Sequence, residues 1–336
     1  MDQLDTIQPG RDYDGYVIDS VLGRGGNAVV YLVQHQPRGT WHALKVLRTL
    51  DGRRRLRIEQ EAILRDDLRH RNIVPAFESV DVEGAPGLVM DFVEGPTLQE
   101  FLADDPPTDL VWRLHLFEGI VEGVRHAHAH NVVHRDLKPS NVLLQPDQHY
   151  NWLPRISDFG LAKAMSPEAG KYGGLTTFNT SLGSAGYAAP EQVRDASTVD
   201  SGADLYSLGC ILYELVCGIG PFAGRSTFDT LQAQHAGDYR PPHELAPGLP
   251  PALYQLIVTL IAADPADRPH SCDQLLADLH DILEPIDRPP PEDAPPSLPS
   301  FDAGIDLIAS ALWIPALLCI FPAAALVFGT FIVFLF

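Results

Sequence analysis

His134-Arg135-Asp136-Leu137-Lys138-Pro139-Ser140-Asn141 is the stretch that decides how the rest of the chain is read. It sets a carboxylate, a cation and an amide close together. Asp136 can accept a proton from an attacking hydroxyl. Lys138 can sit beside charge developing on a group in transfer, and Asn141 can offer an oxygen to a divalent cation. Upstream, Leu114, Phe117, Ile120, Val121 and Val124 recur at helical spacing, so a helix over 110–130 leads into the stretch. That helix ends in His126-Ala127-His128-Ala129-His130. His126 and His130 share a face one turn apart, but with no carboxylate in register this end reads as structural rather than metal-binding. Downstream, Val142-Leu143-Leu144 reads as a strand. Ile156-Ser157-Asp158-Phe159-Gly160 follows at a separation suited to a hairpin that brings Asn141 and Asp158 to one cation.

Toward the N-terminus, residues 16–33 read as two strands around the turn Gly23-Arg24-Gly25-Gly26-Asn27-Ala28, followed by Val29-Val30. Glycines there let backbone N–H groups approach phosphate oxygens, although a plain hairpin turn fits the same residues. Trp41-His42-Ala43-Leu44-Lys45-Val46-Leu47 is an apolar run typical of a strand. Residues 53–69 read as a helix carrying Glu59 and Glu61, with Arg53 to Arg57 as its solvated start, and Leu68-Arg69-His70-Arg71-Asn72-Ile73-Val74 follows. Leu88-Val89-Met90-Asp91-Phe92-Val93-Glu94-Gly95 is an apolar strand entering a polar bend. Beyond Gly160, residues 161–182 are rich in Gly, Thr and Ser without periodicity, a loop that ends at Gly183-Ser184-Ala185-Gly186-Tyr187-Ala188-Ala189-Pro190-Glu191. Asp204-Leu205-Tyr206-Ser207-Leu208-Gly209 and apolar patterns near 226–235, 250–263 and 271–283 complete a helical region, with Asp264-Pro265-Ala266-Asp267-Arg268-Pro269 before the last.

In this order the strings match a known set: a glycine-rich loop, a strand lysine, H-R-D-L-x-x-x-N, D-F-G and A-P-E. Over about residues 15–283 the chain resembles a Hanks-type, eukaryotic-like serine/threonine protein kinase of bacterial kind. The resemblance implies an α+β, bilobal protein-kinase fold, with a small antiparallel β-sheet lobe plus one helix and a larger, mainly helical lobe. ATP would bind between them and give its γ-phosphate to Ser or Thr hydroxyls of proteins. Asp136 would then be the base, Lys138 and Lys45 would attend the phosphates, and Glu61 would pair with Lys45. Glu59 stays open as that partner, because Arg65 stands where the family usually has an apolar residue. Leu22, Gly23, Gly25, Val30, Ala43, Lys45, the gatekeeper Met90, Asp91, Val93 and Leu143 would enclose ATP. Asn141 and Asp158 would hold Mg²⁺, with Mn²⁺ as the alternative. Arg135, Glu191, Asp204 and Arg268 would be structural, Glu191 pairing with Arg268 and Asp204 bracing the catalytic loop. Ala28 replaces the third loop glycine and Ser184 the usual Thr, whose hydroxyl would bond Asp136 and Lys138. Loss of Lys45, Asp136, Asn141 or Asp158 would favour a binding scaffold of the same fold, and all four are present. A small-molecule phosphotransferase would usually lack Ala189-Pro190-Glu191. Arg135 could pair with a phosphate on Thr180, Thr177 or Thr176, placed there by a second copy acting in trans, as in a dimer.

The chain has 336 residues and a net charge of -20, from 44 acidic and 24 basic side chains. That balance argues against a nucleic-acid partner. Cys210, Cys217, Cys272 and Cys319 show no C-x-x-C spacing and read as free thiols of a reducing compartment. Residues 1–14 form a polar leader without the features of a secretory signal. Residues 284–304 form a proline-rich juxtamembrane linker, read as a stiff spacer. Residues 307–336 carry no charged side chain, so 305–336 reads as a transmembrane segment. Pro315 and Pro322 would kink it; a single span is expected, with a re-entrant hairpin at Pro322 as the alternative. Because a kinase needs ATP, the large N-terminal part is placed in the cytoplasm, at the cell membrane.

Overall fold

The computed structural model describes residues 4, 7–26, 28–48, 68–104, 109–147, 151–159, 184–194 and 200–287. The chain divides into two compact units, 1–287 and 288–336, of which the described residues all belong to the first. The helix expected over 53–69, with Glu59 and Glu61, lies outside the described residues. So do Thr176, Thr177, Thr180, the side chain of Ser184, the linker from 288 and the apolar segment 307–336. Among the described residues no helix is long and apolar enough to cross a membrane.

Strands β1 (Asp12–Tyr13), β2 (Tyr16–Arg24), β3 (Ala28–His35), β4 (Thr40–Leu47), β5 (Ala76–Val82) and β6 (Ala85–Asp91) form an antiparallel sheet ordered β1-β2-β3-β4-β6-β5. Alternate β-branched and aromatic side chains cover its outer face: Ile18, Val29, Tyr31, Val33, Leu44, Val46 and Val89 make one buried cluster. The stretch expected as a leader contributes to this lobe. Leu4 is buried in that cluster, its carbonyl accepts a hydrogen bond from the Tyr31 hydroxyl, and β1 pairs with β2. A two-residue strand has too few residues to show an alternation, which is why the sequence reading passed over it.

The larger lobe is helical: α1 (Leu98–Ala103), α2 (Leu110–Ala129), α3 (Pro190–Arg194), α4 (Gly202–Cys217), α5 (Thr227–Ala236), α6 (Pro242–Leu245), α7 (Pro251–Leu260) and α8 (Cys272–Asp287). Helix α1 starts on a capping box, Thr97 with Glu100. Helix α2 is capped by Asp109 and buries Leu114, Phe117, Ile120, Val121 and Val124, the face its periodicity called for. Helix α4 is buried almost throughout, which suits its run of apolar residues. Helix α8 runs past Leu283 to Asp287, so residues 284–287, expected in the linker, are helical. Pro285 sits in the last turn, where its missing N–H costs one intrahelical bond, and Ile286 packs on the core.

Three short connections place the site. The hairpin of β7 (Val142–Asp147) and β8 (Asn151–Ile156) carries the catalytic stretch on one side and Asp158 on the other. It is tied to the entry of the small lobe by Ile156 N–H to Asn72 O (2.8 Å) and Val74 N–H to Ile156 O (2.9 Å). Gly123 of α2 permits this approach, since a Cβ there would come within 2.9 Å of Asn72 O. Gly95, at the end of the bend after β6, lies so close to Leu144 that a Cβ would meet its carbonyl oxygen at 1.9 Å.

Candidate active site

The backbone of the catalytic stretch is held before any side chain acts. Arg135 has φ of 68°, a left-handed conformation that costs a non-glycine residue about 1–3 kcal/mol. Two partners impose it. The Arg135 N–H donates to Asp204 Oδ1 (2.8 Å), and Gln192 Nε2 donates to the Arg135 carbonyl (2.7 Å). Asp204 of α4 is fully buried and also accepts from the His134 N–H (2.8 Å), with His128 Nε2 2.8 Å away. Burial alone would raise its pKa; the His128 contact and the neighbouring His134 and Arg135 groups outweigh that and hold it below the ordinary carboxylate value.

Within this frame Asp136 Oδ2 receives Lys138 Nζ at 2.7 Å. Asn141 Nδ2 donates to the Asp136 carbonyl at 2.7 Å and stands 3.4 Å from Oδ2. That contact spends the amide N–H₂ of Asn141 and leaves its oxygen available to a hard cation. Asp158 also has positive φ, 67°. Its position follows from Ser157 N–H to Asn141 O (2.8 Å) and from Phe159, which is buried edge-on against the His134 ring with centroids 4.7 Å apart. Asp158 Oδ2 meets Lys45 Nζ of β4 at 2.6 Å, a pair spanning the two lobes. The expected acidic partner of Lys45, Glu61 or Glu59, falls outside the described residues.

Five of the residues expected around the nucleotide come together in one apolar cluster: Val30, Ala43, Met90, Val93 and Leu143, with Val74, Ala76 and Leu88 behind them. The cluster joins residues of the sheet and of the hairpin, and its apolar character is the chemistry a flat heteroaromatic ring needs. Gly23 pairs with Val30 across β2 and β3, and Gly25 N–H closes its turn on Ala28 O (2.9 Å). Leu22 is not part of the cluster and remains 46% exposed. Val93 belongs to the cluster and follows Asp91, the last residue of β6.

Glu191 lies where it was expected relative to Arg268, which meets it through two nitrogens at 2.6 and 2.9 Å while donating to the carbonyls of Ala262, Ala263 and Gly202. Arg268 is 3% exposed and lies over the Tyr206 ring, 4.9 Å from its centroid. Sequence reasoning missed several residues. Gln192 bridges the catalytic stretch to the Ala189 N–H. Tyr187 donates to Glu214 at 2.5 Å, and burial raises the pKa of both. Cys272 Sγ lies 3.6 Å from His128 Nδ1, on the far side of the ring from Asp204, its thiol pKa pushed up by burial. His126, already read from the sequence as structural, stacks on the His70 ring with centroids 4.9 Å apart and lies tilted against the His130 ring at 4.5 Å.

Several known proteins are similar to this chain. Residues 16–279 match the family described as Protein kinase domain. The serine/threonine-protein kinase PrkC of Bacillus subtilis is 32% identical over 267 residues, covering 79% of this chain and 40% of that protein. PknL of Mycobacterium tuberculosis is 31% identical over 282 residues, covering 82% of this chain and 67% of that protein. The chain spans 40–43% of the length of several curated relatives it matches. Among solved structures, the kinase domain of Mycobacterium tuberculosis PknI superposes with a TM-score of 0.62 at 25% identity, covering 82% of this chain and 99% of that one. Rad53 residues 1–466 in complex with AMP-PNP gives 0.63 at 25% identity, covering 79% and 64%. By its match over residues 16–279 and its likeness to these kinases, the chain belongs to the protein kinase family and carries a Hanks-type serine/threonine kinase domain of the bacterial kind.

Proposed function

We propose that this chain is a membrane-anchored serine/threonine protein kinase that transfers the γ-phosphoryl of ATP to Ser and Thr hydroxyls of proteins. The observation that carries this reading is the Asp136 carboxylate, held by Lys138 Nζ at 2.7 Å and flanked by the Asn141 amide. Asp136 orients the acceptor hydroxyl and takes its proton as the oxygen becomes a nucleophile. Lys138 lies beside the group in transfer and offsets its charge. Lys45 reaches the phosphates from the sheet, and the cluster of Val30, Ala43, Met90, Val93 and Leu143 receives adenine. The oxygen of Asn141 and the carboxylate of Asp158 suit Mg²⁺, an ion that takes hard oxygen donors, and Mn²⁺ would be accepted by the same set. When bound, that ion neutralises charge on the phosphates. Most of the rate enhancement then comes from positioning and electrostatics.

Anchoring rests on residues 307–336, which carry no charged side chain and exceed the roughly 20 apolar residues a bilayer core requires. The need for ATP places the catalytic part at the cytoplasmic face. Regulation by autophosphorylation rests on Arg135, next to the base, and on the hydroxyls of Thr176, Thr177 and Thr180 in the glycine-, serine- and threonine-rich segment. Confinement to one membrane raises the encounter rate of two copies, so the donor is a second copy.

Incubating the protein with labelled ATP, Mg²⁺ and a mixture of Ser/Thr peptides, then mapping the phosphates by mass spectrometry, tests the chemistry. Label on Ser and Thr, including the three threonines, is the expected result; no transfer to any hydroxyl would refute the reading. Removing residues 305–336 is expected to move an active enzyme from the membrane pellet to the soluble fraction. Recovery of the full-length chain in the soluble fraction would refute the anchor.

A further inference from the structure

Leu143, read as the floor of the adenine site, stands directly opposite Arg155 in the β7–β8 hairpin, so the two side chains leave the same face. Arg155 extends from there to the bend after β6. Its Nη1 donates to Asp91 Oδ2 at 2.8 Å and to Gln145 Oε1 at 3.0 Å, and Nη2 reaches the Ile73 carbonyl at 3.4 Å. The Arg155 side chain is only 12% exposed, and its buried Nε has no hydrogen-bond partner among the described residues. A buried guanidinium with an orphaned donor is costly to hold, so the contacts it does make fix its place. Those contacts join three segments: the bend, the entry to the small lobe at Ile73, and the hairpin of the large lobe. Asp91 is otherwise positioned by its N–H to Pro75 O (2.9 Å) and by pairing with His42 in β4.

We propose that Arg155 is a positioning residue for nucleotide binding: its ion pair with Asp91 sets the gap between the backbone of residues 91–93 and the Leu143 floor, and so the fit of the adenine ring. The inference rests on the nucleotide reading above. On that reading the Asp91 carbonyl and the Val93 N–H would meet the adenine edge, so their distance from Leu143 determines whether a purine with another edge is accepted. Side-chain identity at Asp91 therefore matters through Arg155, although the carboxylate itself need touch no ligand.

The test uses the full chain and steady-state kinetics with ATP and with GTP, alongside binding of adenosine, which has no phosphates. Arg155→Met is expected to raise the KM for ATP and the Kd for adenosine roughly tenfold, less than the loss of a fully buried ion pair because the Asp91 side chain is 35% exposed. kcat at saturating ATP should change by less than about threefold, because the groups around Asp136 are untouched. The preference for ATP over GTP should fall with the affinity. Asp91→Asn, which preserves shape and removes the charge, is expected to raise the KM for ATP and the Kd for adenosine in the same way, and serves if Arg155→Met folds poorly. Pairing Asp91→Arg with Arg155→Asp should recover part of the ATP preference. Unchanged KM and unchanged base preference in a folded variant would overturn the inference. Absence of ATP binding in the wild-type chain would instead overturn the kinase reading.

Discussion

Asp136→Asn lowers phosphoryl transfer by roughly 10²–10⁴-fold, the usual contribution of a positioned general base, while nucleotide binding stays close to that of the wild type. The structure says why the two effects separate. The Asp136 N–H donates to His134 Nδ1 (3.2 Å) and its carbonyl accepts from Asn141 Nδ2, so neither backbone anchor uses the carboxylate. The substitution keeps the side-chain volume, and the loop keeps its shape. What disappears is the anionic oxygen 2.7 Å from Lys138 Nζ, and with it the ability to take a proton from an incoming hydroxyl. Autophosphorylation and peptide phosphorylation measured beside nucleotide affinity check this. Transfer at the wild-type rate would remove Asp136 from the mechanism.

Asp204→Ala is expected to cost about 3–5 kcal/mol, the penalty for removing one partner from a buried charged network. That is a large share of the roughly 5–15 kcal/mol that holds a typical domain together. The N–H groups of His134 and Arg135 would lose their acceptor, and the left-handed backbone of Arg135 would lose one of its two restraints. The melting midpoint should drop by on the order of 10 °C, and activity should fall more than in a surface variant of equal stability. Asp204→Asn separates charge from shape. Because the folded carboxyl titrates below its ordinary value, its stabilisation is fully present above the unfolded pKa, about 4, and is lost as pH falls through the lowered folded value. Wild-type stability should therefore decline across that acid window, while the Asn variant shows a flatter profile. Urea titrations from neutral pH to about pH 3 distinguish the two; identical slopes would mean the network does not depend on the charge.

Much of this was legible because kinase chemistry is written in short strings. Asp136, Lys138 and Asn141 act through contacts within a single turn and its continuation, so local spacing predicted their proximity. Helix α2 showed its buried face through 3.6-residue recurrence, and β4 showed itself through its apolar run, although neighbouring residues such as Ala43 and Leu44 are buried on both faces rather than alternately. What stayed hidden is mostly long-range. Arg155 reaches Asp91 across 64 positions, Gln192 reaches Arg135 across 57, and Cys272 meets His128 across 144. No periodicity encodes such pairs; they follow from how helices and hairpin dock. Two boundaries also moved for local reasons. Residues 284–287 read as part of the proline-rich linker, yet a proline at 285, in the last turn of α8, removes little. Leu4 and β1 were too brief to signal that the small lobe begins before residue 15.

The clasp between Arg268 and Glu191 has a consequence for the order in which the protein is made. Its two halves are 77 positions apart. At about 5–20 residues per second, a ribosome needs roughly 4–15 s to add the second half after the first. During that interval Glu191 has emerged without its guanidinium, and the Gly202 carbonyl at the start of α4 lacks the same donor. Every residue proposed for the chemistry is by then already synthesised, but the platform beneath it cannot close. Until translation has passed Arg268, neither the clasp nor the Gly202 contact can form, so a stall before that codon leaves a polypeptide with all its proposed reactive groups and an unfinished base.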